Sequence, residues 1–201
     1  MKDIKHSLKK RWKITNDELS LQRQHGYIQQ HLPEELGKGS SDMIQLDEDL
    51  SFIKTAYSPS KEFSILSQME TQQPRVVVTL GLQGNSRFID NQDNELIFNE
   101  GYTSISCFNS IQGERQYQAN QSLKQLRFSM SKTWLDKYFG ESRITQWFAK
   151  KDKLLLSHQP ISPQARMIVQ QLLNTKVTKE MQSLFIHGQA MTLLASELSP
   201  L

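Results

Sequence analysis

A chain of 201 residues with 37% hydrophobic and 22% charged residues can bury one core, and a mean hydropathy of −0.56 places it among globular chains rather than disordered ones. Its longest apolar runs, such as Val76-Val77-Val78 and Leu154-Leu155-Leu156, fall far below the roughly 20 residues of a membrane span. The opening MKDIKHSLKKRW lacks the apolar stretch of a secretory leader, so a cytoplasmic location without membrane contact is expected. The net charge of +3 sits in residues 1–40, which hold eight Lys/Arg against five Asp/Glu, leaving sixteen of each in the remainder. A balanced body has no broad field to attract phosphate backbones.

Residues 1–40 are basic and glutamine-rich, with Gly26, Pro33, Gly37 and Gly39 interrupting any long element. They read as an arm or linker, with room for a short helix near Asp17 to Gln24. From Ser41 to Met130 the pattern changes to short strands divided by turn residues: MIQL, LSFIKTAYS, KEFSILSQM, RVVVTLGLQGNSRFID, NELIF, YTSISCFNS, GERQYQ and SLKQLRFSM. Seven or eight strands at this spacing suit a barrel or sandwich, and the absence of helical crossovers favours antiparallel pairing.

Residues 131–201 read as helical throughout. Ser131 caps a short helix bearing Trp134, Leu135, Tyr138 and Phe139, and Gly140 supplies its left-handed stop. A second piece carries Ile144, Trp147 and Phe148. Ser162-Pro163 starts a third helix, and Thr178 a fourth. The last helix has one stripe of Met181, Leu184, Phe185, Gly188, Met191, Leu194 and Ala195 and another of Ile186, Ala190 and Leu193. Two apolar sides require two coverings. One can be the chain's own core and the other a second subunit, with Phe185, Ile186, Gly188 and Leu193 as candidate dimer contacts; the alternative is a helix enclosed wholly in its own core.

The chemistry of catalysis is hard to find. The single cysteine, Cys107, lies in an apolar strand and reads as a core residue. The histidines, His6, His25, His31, His158 and His187, all fall outside the strand region, so neither a metal centre nor a nucleophile–base pair is readable there, and no cofactor is expected. Gly81-Leu82-Gln83-Gly84 lacks the lysine and helix start of a phosphate loop. The strands do carry Arg75, Arg87, Arg115 and Arg127 among Tyr57, Phe88, Tyr102, Tyr117 and Phe128. A cavity lined this way can hold an anionic or aromatic small molecule, because guanidinium groups bind carboxylates bidentately and stack on rings.

The entry LPEELGKGSSDMIQLDEDLSFIKTAYSP, the strand RVVVTLGLQGNSRF, the turn NEGYTSIS, the run SLKQLRFSMSKTWLDKYFG and the closing MTLLASELSPL together resemble the N-terminal sensing domain of AraC-type transcription regulators, closest to the branch responding to ferric siderophores. The resemblance covers Leu32 to the end. It implies an α+β fold, a cupin-like antiparallel β-barrel or jelly-roll over residues 41–130 followed by C-terminal helices that dimerise. It further implies a small-molecule effector and DNA contact only through a helix-turn-helix domain expected after residue 201. The expected ligand-binding residues are Arg87, Arg115, Tyr117 and Arg127. Two alternatives remain at this point: a metal-free, isomerase-like enzyme on the same barrel, and a solid-core interaction domain.

Overall fold

Residues 11–24, 26–68, 74–108, 112–149, 155–174 and 176–201 are described by a computed structural model of the chain. The basic opening with His6, and His25, lie outside the described residues. Strand alternation builds two sheets. The larger takes the order β13 (Leu155–Pro160), β10 (Tyr102–Phe108), β7 (Arg75–Gln83), β12 (Leu123–Ser131), β5 (Leu50–Pro59), β4 (Gly37–Asp47), β3 (Tyr27–His31), β2 (Ser20–Gln24). The smaller runs β1 (Trp12–Thr15), β6 (Phe63–Gln68), β11 (Gln112–Tyr117), β8 (Ser86–Asp90), β9 (Glu95–Phe98). Pairing is antiparallel except between β1 and β6. The class is therefore the expected one, α+β with an antiparallel, cupin-like two-sheet body and C-terminal helices.

Period-two alternation assigns the faces of the larger sheet. Val76, Val78, Leu80, Leu126, Phe128 and Met130 point outward into a core completed by the helices. Val77 points inward and joins Phe88, Leu96, Phe98 and Phe108 between the sheets. A further cluster between the sheets gathers Ile14, Leu19, Leu32, Leu36, Tyr57, Phe63 and Tyr117.

The helices are α1 (Lys132–Phe139), α2 (Glu141–Ala149), α3 (Pro163–Asn174) and α4 (Lys179–Leu198). Ser131 Oγ accepts from the Trp134 N–H at 3.0 Å, so β12 passes directly into α1 through a capping hydroxyl. Ser162 caps α3, accepting from the Ala165 N–H at 3.1 Å while donating to the buried Glu197 carboxylate of α4 at 2.7 Å. That carboxylate ties the two last helices together.

Three expectations are corrected. Residues 12–15, 20–24 and 27–31 are strands rather than an arm, and the expected short helix near Asp17 to Gln24 is only the turn Asn16–Glu18: β3 pairs with β4 from Tyr27↔Ile44 to His31↔Ser40, and β1 pairs with β6. The tail is not wholly helical, because β13 returns between α2 and α3 to pair with β10, where Ser104 Oγ and His158 Nδ1 lie 2.9 Å apart and the Tyr102 and His158 rings stack at 4.7 Å. Two candidate dimer contacts, Ile186 and Leu193, are buried in the chain's own core, and Phe185 packs partly against it. The exposed stripe of α4 is instead Met181, Leu184, Gly188 and Ala195.

Gly39 lets β4 lie against β5. Its φ is +126°, and a Cβ there would stand 2.0 Å from the Ala56 carbonyl oxygen. Gly39→Ala is therefore expected to destabilise the fold by about 2–4 kcal/mol, read as a lowered denaturant midpoint at unchanged slope.

Cys107 is buried in the helix-covered core, and burial pushes its thiol up to about 12. The folded state thus holds this proton where the unfolded chain releases it, so the contribution is complete below about pH 9 and is lost as pH rises toward 12. At pH 8 the native thiol should resist an aromatic disulfide reagent and react on unfolding. Rapid native-state labelling would contradict this placement.

Candidate functional site

Between the sheets lies a cavity of about 450 Å³. Its position follows from the same alternation that sends Leu126 and Phe128 to the helices, because Arg127 and Ser129 must then face the other way. On β11, Arg115 faces the cavity, while Glu114 meets Lys13 at 3.0 Å. Phe88, Phe108, Val77 and Ile53 supply apolar wall.

The two cavity arginines are held differently. Arg127 Nη2 donates to Thr55 Oγ1 at 3.1 Å, and Thr55 lies 3.0 Å from the Ser41 hydroxyl, while Arg127 Nε is buried without a partner. Arg115 lies over the Phe98 ring at 5.1 Å. Among the described residues no carboxylate lies within 4.0 Å of either guanidinium. Burial, and then the like charge of Arg127, lower the Arg115 pKa to about 10, against the opposing influence of the Tyr117 and Tyr57 hydroxyls. An unneutralised pair of cations facing a cavity favours an anionic occupant.

Tyr117 is buried beside this pair rather than on the cavity wall. It stacks on Phe63 at 4.7 Å and meets Tyr57 edge-on at 5.3 Å, and burial raises both hydroxyls above their ordinary value. It supports the electrostatics from beneath. Arg87 is the clear miss: it leaves the barrel, pairs with Glu95 at 3.2 Å and is 45% exposed. Its neighbour Phe88 is buried and faces the cavity, and alternation then places Arg87 outside. Arg75, the fourth strand arginine, donates through Nε to Ser129 Oγ at 2.7 Å. Ser129, Ser41 and Thr55 have no sequence signal, because isolated hydroxyls in strands carry no pattern.

No group of three or more His, Cys, Asp or Glu converges as metal ligands among the described residues. No described helix is long and apolar enough to cross a membrane.

The family model for the Regulatory protein PchR N-terminal domain matches residues 38–201, which includes both cavity arginines and all four helices. The chain belongs to the PchR N-terminal domain family. The family is that of the N-terminal domains of AraC-type regulators. Among solved structures, the AraC-like transcriptional activator CuxR is similar at 13% identity and a TM-score of 0.44, covering 79% of this chain and 56% of that one. A RmlC-like cupin protein from Desulfovibrio desulfuricans has 10% identity and a TM-score of 0.34, covering 46% and 81%. The Cupin_2 domain of an XRE family transcriptional regulator from Enterobacter cloacae has 6% identity and a TM-score of 0.35, covering 45% and 93%. This PchR-type chain thus spans little more than half the length of the AraC-like activator it matches. No curated protein matches it significantly in sequence.

Proposed function

We propose that this chain is the effector-sensing part of an AraC-type transcription regulator, cytoplasmic and without enzymatic activity, and that its cavity binds a small anionic molecule with apolar rings. The observation that carries this reading is the pair Arg115 and Arg127, facing one cavity with no carboxylate in reach among the described residues. A cavity of about 450 Å³ lies within the ordinary range for small-molecule sites and argues against the solid-core alternative. A ferric siderophore suits the family and this charge, with iron arriving inside its chelate. Occupancy would pass along β12, which carries Arg127 and Ser129 and ends on the Ser131 cap of α1. DNA contact would come from a separate helix-turn-helix domain. The enzyme alternative has little to draw on, since among the described residues the cavity wall carries one carboxylate, Asp17, and that residue is exposed.

The test is a thermal-shift and calorimetric titration with salicylate and with ferric complexes of phenolate–carboxylate chelators, repeated on Arg115→Ala and Arg127→Ala. A ligand at a hundred times its dissociation constant should stabilise the fold by about 2.7 kcal/mol. Binding unchanged in both variants would end this reading.

The exposed stripe of α4 is proposed as the homodimer contact. Leu184, 68% exposed, is its most prominent apolar residue. Leu184→Glu should shift the sedimentation of the chain from dimer to monomer without lowering its melting temperature.

A further inference from the structure

The cavity is not completed by the family-matched residues. Residues 12–31 precede the matched span of 38–201, and they run from one sheet to the other. β1 joins the edge of the smaller sheet in parallel with β6; the chain then turns through Asn16–Glu18 and continues as the β2–β3 hairpin on the edge of the larger sheet. The crossing is held in place. Ile14 and Leu19 are buried in the cluster with Tyr57, Phe63 and Tyr117, and the Thr15 N–H donates to the Glu18 carboxylate at 2.7 Å. A segment anchored at both ends is a fixed wall.

That wall carries polar chemistry. Asn16, Asp17, Arg23 and Gln30 line the cavity, with Leu21 between them. Asp17 and Arg23 are exposed and so stand at the rim, whereas Arg115 and Arg127 are half-buried further in. Among the described residues, interior charge is of one sign only, while the rim offers one charge of each sign.

We propose that residues 16–23 and 28–30 are the specificity-determining wall of this cavity: Arg115 and Arg127 hold the anionic end common to its ligands, and Asp17 and Arg23 read the charge at the far end. This rests on the ligand reading given above. Asp17 favours a ligand whose outer end is cationic or donates hydrogen bonds, and Arg23 favours one whose outer end is anionic. The selectivity of the domain is thereby set by residues outside the span that defines its family.

The experiment uses the full chain and three probes of one shape: biphenyl-4-carboxylate with hydrogen, aminomethyl or carboxylate at the 4′ position. Affinities are measured by calorimetry at constant salt for wild type, Asp17→Asn, Arg23→Ala and Arg115→Ala. Asp17→Asn should shift the ratio of dicarboxylate to aminomethyl affinity at least threefold toward the dicarboxylate. Arg23→Ala should shift it at least threefold the other way. The unsubstituted probe should change less than twofold in both variants, and Arg115→Ala should lose all three probes. If Arg115→Ala loses binding while Asp17→Asn and Arg23→Ala keep the wild-type ratio, the wall is only structural and the inference is overturned. If wild type binds none of the probes, the ligand reading falls and takes the inference with it. Asp17 and Arg23 are both exposed, so the variants should fold, which circular dichroism checks.

Discussion

Replacing Arg115 by methionine should abolish binding of anionic ligands and, in the same protein, raise the stability of the ligand-free fold. The two effects share one cause. Arg115 carries a positive charge in a site where burial and Arg127 disfavour it, which is why its pKa falls to about 10. The Phe98 ring offsets part of this, and no carboxylate reaches it among the described residues. Methionine fills similar space without the charge. Replacing a buried ionic group by an apolar residue of similar volume is often neutral or stabilising, and for the half-buried Arg115 a gain of about 1 kcal/mol is expected. The direction with pH follows from linkage. Between about pH 10 and the ordinary arginine range, the folded protein binds fewer protons at Arg115 than the unfolded chain. The strain is therefore complete below pH 10 and is relieved above it, so the gap between Arg115→Met and wild type should narrow in alkaline solution. Denaturant midpoints from pH 7 to 11 measure this. A variant less stable than wild type at pH 7 would show that the Phe98 contact outweighs desolvation.

The second large effect is expected at Trp134, the first big side chain after the strand-to-helix junction. It is 2% exposed, packs on Tyr138 with ring centroids 4.7 Å apart, and lies in the core that joins helices to the larger sheet. Trp134→Ala should cost about 3–5 kcal/mol through lost burial and the void left behind. Its indole N–H is buried without a partner, so phenylalanine removes an unsatisfied donor while keeping an aromatic ring. Trp134→Phe should accordingly cost only about 1–2 kcal/mol. Equal losses in the two variants would mean that the indole nitrogen contributes more than its surroundings suggest.

What the amino-acid sequence made legible was whatever alternates strongly against an apolar core. Leu126, Phe128 and Met130 fix the face of β12, and with it the inward direction of Arg127. Ser131 and Ser162-Pro163 mark their helix starts because a capping hydroxyl is a local property. Residues 12–31 were illegible for the opposite reason. LQRQHGYIQQH offers few apolar positions, and β3 is half-buried along its whole length, so it is held by ladder hydrogen bonds and by the sheet it extends rather than by an apolar face of its own. β13 was hidden by its brevity and by Pro160, although Leu155 and Leu156 face different clusters. Arg87 faces outward because the apolar Phe88 beside it takes the inward face of β8, a pattern the strand alternation also carries. In α4 the two apolar stripes were visible, but which one the chain covers depends on where α3 lies, a tertiary fact.

β2 and β13, the outermost strands of the larger sheet, also bear on how the protein behaves at high concentration. An outer strand shows unpaired backbone groups to which another chain can add, the usual route to strand-swapped aggregates. β13 ends on Pro160, which has no N–H to offer, and its ladder with β10 slips between Ile105 and Ser106. β2 presents the polar sequence Ser20, Gln22 and Arg23 around a single leucine. Both margins are poor templates for fibril growth, which leaves the helical surface free to associate without competition from the sheet.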